Sequence, residues 1–113
     1  MQVIFETRDP EAVQFRPLAV RRIRLALRRL KWLAPRARVH LSAVNGPSGG
    51  IDKRCQIELL SNSVGPVVIT SMARDWGSAL NSALARAAQA LLHNWQPARE
   101  VRRVIRPPLA LDS

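Results

Sequence analysis

The sequence predicts an α+β fold in which a four-stranded mixed sheet carries two helices on one face. Short segments alternate apolar and polar residues, which is typical of strands, while two longer segments repeat apolar residues at helical spacing. Each helix has a single apolar face, so both are expected to cover the same side of the sheet. The 113 residues fit one domain, predicted over residues 1–96, followed by a basic, proline-containing tail over residues 97–113 that we expect to be flexible.

The first strand is predicted at Gln2–Thr7, where Val3 and Phe5 alternate with Ile4 and Glu6. A helix follows, and we place its start at Pro17 and not at Asp9-Pro10, because proline fits the first helical turn. Pro35 is expected to end this helix.

The sequence of the second half of the domain predicts three more strands and a helix. The strands are expected at residues 38–44, 53–60 and 67–72, with a glycine-rich loop over residues 45–50. Asp75 is a suitable N-cap for the alanine-rich last helix, which Pro97 ends. The order is therefore β-α-β-β-β-α. The helical crossover predicts that the first two strands are parallel, and the short links predict antiparallel neighbours for the rest.

The charge balance indicates an anionic partner. Eighteen Lys and Arg against eight Asp and Glu give a net charge of +10, and sixteen of the eighteen are Arg, whose planar guanidinium suits phosphate. The single cysteine excludes an internal disulfide, and neither a signal peptide nor a membrane-spanning apolar run is apparent. We therefore expect a cytoplasmic protein with no membrane partner.

Catalytic and metal-binding groups are sparse. His40 and His93 have no catalytic partner near them in the sequence, and we expect both to be surface residues. Cys55 lies on the inward phase of its strand, so we expect its thiol to be buried. The acidic residues are scattered, and the loop NGPSGG lacks the Lys-Ser/Thr ending of a phosphate-binding loop. We expect no enzyme activity, no cofactor, no metal and no small-molecule substrate.

Nine basic residues and no acidic residue lie between Ala12 and Ile51. At 100° per residue, one helix flank would present Arg21, Arg24, Arg28 and Lys31, and the other would present Arg22 and Arg29. Like charges three or four residues apart weaken a helix, so an external anion is the expected compensation, although a protein that is basic for solubility alone is the alternative. The full set is Arg16, Arg21, Arg22, Arg24, Arg28, Arg29, Lys31, Arg36 and Arg38.

RNA suits this basic helix better than a membrane does. An interfacial helix must keep its apolar face free for lipid, whereas the apolar face of this helix is already needed by the sheet. Trp32 has two interpretations: it stacks on a base, or it packs at the edge of the core, which is the commoner role of a lone tryptophan.

Two segments resemble the ribosome hibernation-promoting factor family. VVITSMARDWGSALNSALARAAQALL has the alternating strand, short polar link, Asp and alanine-rich helix of that family, and MQVIFETRD and the element order are similar over about residues 1–96. The resemblance implies a fold related to double-stranded-RNA-binding domains, which occupies the messenger and transfer RNA channel of the small ribosomal subunit. It also implies that the protein inhibits translation in stress or stationary phase.

Matched to the family, the RNA-binding residues would come from the basic helix and its surroundings, with one from the last helix. Two departures from the family are expected: the last helix ends in AAQALLHNWQP without the family's Lys/Arg-rich end, and we expect none of the additional C-terminal domain that longer members carry. A general binder of structured RNA, or a protein-interaction module that uses the tail, remain the alternatives. The predicted RNA-binding residues are Arg21, Arg22, Arg24, Arg28, Arg29, Lys31, Arg36, Arg38 and Arg86.

Overall fold

A computed structural model describes residues 1–45, 50–61 and 63–95 of the chain. These residues form an α+β fold, a four-stranded mixed sheet with helices packed on it. The predicted tail at 97–113 and most of the predicted loop at 45–50 lie outside the described residues.

The sheet has the strand order β1-β2-β3-β4. As predicted, β1 is parallel to β2, and β3 is antiparallel to both β2 and β4. The first strand has its predicted bounds, while the others are longer than predicted by one to three residues. Pairing continues to Asn45↔Ile51 at the β2-β3 connection, to Arg36↔Leu60 at the other end of β2, and to Lys53↔Ala73 at the end of β4. The strands are β1 (Gln2–Thr7), β2 (Arg36–Asn45), β3 (Ile51–Leu60) and β4 (Val67–Ala73).

The helices differ from the prediction in the first crossover, where two α-helices and a 3-10 helix replace the single expected helix. The predicted start at Pro17 is within one residue of the start of α2 at Arg16, and Pro17 lies in its first turn. The rejection of Asp9-Pro10 as a helix start is wrong, because Asp9 caps a separate short helix: its Oδ1 accepts hydrogen bonds from the backbone N–H of Glu11 at 2.8 Å and of Ala12 at 3.3 Å. The elements are α1 (Pro10–Gln14), α2 (Arg16–Ala26), a 3-10 helix (Arg28–Leu30) and α3 (Trp76–Asn94).

The predicted end of the basic helix at Pro35 is also wrong. The α-helix ends at Ala26, and Leu27, with φ −106° and ψ 14°, leads into the 3-10 helix. A 3-10 helix has three residues per turn, so side chains three apart lie above one another. Leu27, Leu30 and Leu33 have this spacing and all three are buried. The change of helix type therefore keeps a leucine row in the core while the intervening cations stay outside.

The core lies between the helices and one face of the sheet. Phe5, Val39, Ile57 and Ile69 face one another across the four strands, and Val39 and Ile57 are completely buried. Asp75 caps α3 as predicted, and this helix buries three alanines, which let its backbone approach the sheet. These are Ala79, Ala83 and Ala87.

Cys55 lies in this core, as its strand phase predicted. Burial raises the pKa of its thiol to about 12, because an ionised sulfur would lose its hydration. The thiol is therefore uncharged at neutral pH and contributes to packing as a small apolar group.

A polar cluster joins α1 to α3 and β3. Glu11 Oε1 accepts a hydrogen bond from Trp76 Nε1 at 2.8 Å and lies 3.3 Å from Lys53 Nζ. The same ammonium group sits 5.0 Å from the centre of the Trp76 ring. The hydrogen bond from Trp76, and then the contact with Lys53, hold the pKa of the Glu11 carboxyl below its ordinary value.

This cluster predicts an acid-dependent loss of stability. Because the pKa of Glu11 is lower in the folded chain than in the unfolded chain, its contribution is present above the ordinary value of 4.5 and is lost as the pH falls below that value. We expect the melting temperature of Glu11→Gln to fall less than that of the wild type between pH 6 and pH 3, as measured by circular dichroism. Equal falls would show that the cluster adds no pH-dependent stability.

Candidate nucleic-acid interface

The strongest candidate site is a groove between α2 and the open edge of the sheet at β1. Arg16, Arg21 and Arg24 project from three successive turns of α2 and line the groove. Its volume is about 510 Å³, and its apolar wall is formed by Val3, Pro17, Val20 and Leu25. We call this site the α2 groove.

The three arginines of the α2 groove are exposed. Within the described part of the chain, neither a side-chain hydrogen bond nor an ion pair engages any of them, in contrast to Arg22, Arg38 and Arg86. No acidic residue lines the groove either. Three guanidinium groups therefore converge on one concave surface without an internal counter-charge, which is the arrangement that attracts an external anion.

Arg22 points away from the α2 groove, toward α3. Its Nη1 donates a hydrogen bond of 3.4 Å to Asn81 Oδ1, and a Cβ added to Gly77 would lie only 3.1 Å from the same nitrogen. Nearby, hydrogen bonds from Ser78, with a smaller contribution from the charge of Arg22, lower the pKa of the Asp75 carboxyl. Arg22 thus helps to hold α2 against the start of α3.

The predicted flank of four cations does not exist as one α-helical face. Arg21 and Arg24 lie on α2, but Arg28 belongs to the 3-10 helix and Lys31 to the turn after it. The 100° geometry on which the flank was predicted stops at Ala26. Arg28, Arg29 and Lys31 are nevertheless exposed and form a second group of cations beyond the end of α2.

Three further predicted residues lie on other surfaces. Arg36 and Arg38 project from the sheet face that is opposite the helices, where Arg38 Nη1 is 3.5 Å from Glu58 Oε1. Arg86 lies on the β4 side of α3 and donates a hydrogen bond of 3.2 Å to the backbone oxygen of Thr70. The nine predicted residues are therefore distributed over at least three surfaces, and the α2 groove collects two of them.

Arg16 is the groove residue that the sequence-based site omitted. It precedes the predicted helix start at Pro17, and the prediction therefore did not place it on the same helix face as Arg24. The signal was present, because Arg16, Val20 and Arg24 recur at intervals of four residues, which places them on one helix face.

The described residues offer few other kinds of site. Among residues 1–45, 50–61 and 63–95, no group of three His, Cys, Asp or Glu side chains is placed to hold a metal ion. None of the described helices is long and apolar enough to cross a membrane. His40 and His93 are exposed on different elements.

Comparison of the chain with known proteins gives no assignment. No protein-family model matches the sequence, and no curated protein matches it.

Proposed function

We propose that the protein binds the small ribosomal subunit through RNA phosphates, occupies the RNA channel of that subunit and inhibits translation there. The observation that carries this proposal is the α2 groove, in which Arg16, Arg21 and Arg24 face outward together without a carboxylate. The resemblance of the sequence to the hibernation-promoting factor family supplies the ribosome as the particular partner.

Phosphate is the anion that best fits the groove. Arginine binds phosphate oxygens through two parallel N–H groups, and each such contact releases a condensed counterion from the RNA. Successive turns of α2 rise by about 5.4 Å, so arginines on adjacent turns are spaced to reach neighbouring phosphates of one strand. An apolar ligand would leave the three guanidinium groups without partners.

A role as a stoichiometric inhibitor is more consistent with these residues than catalysis is. The proposed site contains arginines and aliphatic side chains, and these provide neither a general base nor a nucleophile near neutral pH. We infer further that the fold is related to double-stranded-RNA-binding domains, since α2, three antiparallel strands and α3 follow one another along the chain. Inhibition would then arise from occupation of the channel.

A general binder of duplex RNA is the principal alternative, and competition separates the two. In this assay, the fluorescently labelled protein is bound to immobilised small subunits, and either unlabelled small subunits or a 20-base-pair RNA duplex is added as the competitor. We expect the unlabelled subunits to displace the protein at a concentration at least tenfold lower than the concentration of duplex that is required. Affinity for the duplex equal to that for the subunit would support the general binder. Subunits preloaded with messenger and transfer RNA should bind less protein, because the proposed channel is then filled.

A further inference from the structure

Trp32 is exposed in a region where the neighbouring apolar residues are buried. It lies in the turn after the 3-10 helix, and its exposed fraction is 60%, whereas Leu30 and Leu33 are 8% and 2% exposed. The packing interpretation of Trp32 therefore holds for only a minor part of its surface. Single exposed apolar residues are common on protein surfaces, but a tryptophan presents a large flat ring with an N–H group at its edge, which suits contact with a ligand.

The ring of Trp32 is held in place by one other aromatic side chain. Trp95, at the end of α3, meets it in a T-shaped contact with ring centroids 4.9 Å apart and an interplanar angle of 77°. An edge-to-face contact occupies at most one face of the Trp32 indole, so a stacking surface is left. Because the contact restricts the ring before any ligand arrives, stacking would cost little conformational entropy.

Cations surround Trp32 along the chain. Arg28, Arg29 and Lys31 lie within four residues of it and are exposed, and no acidic residue occurs between Ala12 and Ile51. Exposed aromatic rings interleaved with cations are the usual elements of a surface that binds unpaired nucleic acid, in which bases stack and phosphates contact the cations.

We propose that Trp32 is a stacking platform for an unpaired RNA base, with Arg28, Arg29 and Lys31 contacting the adjoining phosphates. This inference rests on the proposed function and deepens it, since it assigns an unpaired base as the ligand of the site at the end of α2. A continuous duplex has no unpaired base to offer. In a duplex the bases are stacked on one another, so the base that Trp32 receives comes from a single-stranded segment, a bulge or a loop.

The test compares full-length chains that carry Trp32→Phe, Trp32→Leu or Trp32→Ala, with Met72→Ala as the matched control. Met72 is an exposed apolar residue of β4 with an exposed fraction of 51%, it does not line the α2 groove, and its truncation deletes surface apolar area without removing an aromatic ring. The probes are a 12-nucleotide single-stranded oligoadenylate and purified small ribosomal subunits, each titrated at several salt concentrations.

Stacking predicts an affinity loss of about tenfold for Trp32→Leu and Trp32→Ala on both probes. Trp32→Phe should lose less than about threefold, because phenylalanine retains a smaller stacking face. The slope of log affinity against log salt should stay the same in all three variants, since no cation has been removed. Met72→Ala should bind as the wild type does.

Two results would overturn the inference. One is wild-type affinity of Trp32→Ala for both probes, especially together with a lower melting temperature, which would show that the ring packs within the protein. The other is equal loss in Trp32→Phe and Trp32→Ala. In either case, wild-type binding to the subunits would leave the proposed function standing, whereas failure of the wild type to bind them would remove that function.

Discussion

Replacing Arg21 and Arg24 together with Gln is expected to lower the affinity for small ribosomal subunits by at least about tenfold at low salt. Hydrogen bonds to charged groups contribute about 1.5–3 kcal/mol each, and this variant removes two guanidinium groups that have no partner in the described chain. Because two phosphate contacts would be lost, the salt dependence of binding should also become shallower by about two in log-log slope.

The matched control is Arg8→Gln with Arg74→Gln, which removes the same charge from exposed residues that do not line the α2 groove. The control should lose only a small part of the affinity, through the change in overall charge. Equal losses in the two double variants would show that net charge matters and that the groove does not.

The variant with Arg21→Gln and Arg24→Gln should bind RNA less tightly, but its stability should be unchanged or slightly higher than that of the wild type. Arg21 and Arg24 are like charges on adjacent turns, and such a pair destabilises a helix by about 0.2–0.5 kcal/mol. Glutamine has nearly the same helix propensity as arginine. Loss of binding with unchanged or slightly higher melting temperature is therefore the expected signature of residues retained for a ligand.

Replacing Leu27 with Ala is expected to have the largest effect on folding, a decrease of about 2–5 kcal/mol in the free energy of unfolding. Leu27 is completely buried at the junction of α2 and the 3-10 helix. The truncation leaves a cavity and removes the first residue of the leucine row that the 3-10 helix aligns. Denaturation in urea, followed by circular dichroism, measures the change.

Leu25→Ala is the control for this experiment, since it makes the same chemical change two residues away at an exposed position. Surface changes of this kind usually stay within about 0.5 kcal/mol. If the two variants lost similar stability, the helix would be rotated relative to its described orientation, and the assignment of Arg21 and Arg24 to the groove would fail with it.

Alternation in the sequence was sufficient to predict the sheet. Period-two patterns depend little on long-range context, and β1 accordingly has its predicted bounds. The pairing directions, which were predicted from the helical crossover and the short connections, also agree with the structure. The cap at Asp75 was equally clear, because a single Asp precedes a long run of apolar residues at helical spacing.

The first crossover was harder to predict for physical reasons. A five-residue helix such as α1 is not stable by itself and depends on tertiary contacts, including the link from Glu11 to Trp76. The residues of the 3-10 helix are compatible with continued α-helix, which would also bury Leu30 and Leu33. The backbone distinguishes the two, since the N–H groups of Leu30 and Leu33 donate to the carbonyl oxygens three residues earlier, those of Leu27 and Leu30. Because the predicted α-helix extended to Pro35, Arg28 and Lys31 were wrongly placed on the same α-helical face as Arg21 and Arg24.

Co-sedimentation of the wild-type protein with purified small ribosomal subunits across a salt series tests the proposed ribosome binding most directly. We predict that the protein pellets with the subunits at low salt and is released progressively as salt rises, because arginine-phosphate contacts carry the binding. A protein that remains in the supernatant at the lowest salt concentration would contradict the proposed ribosome-binding function.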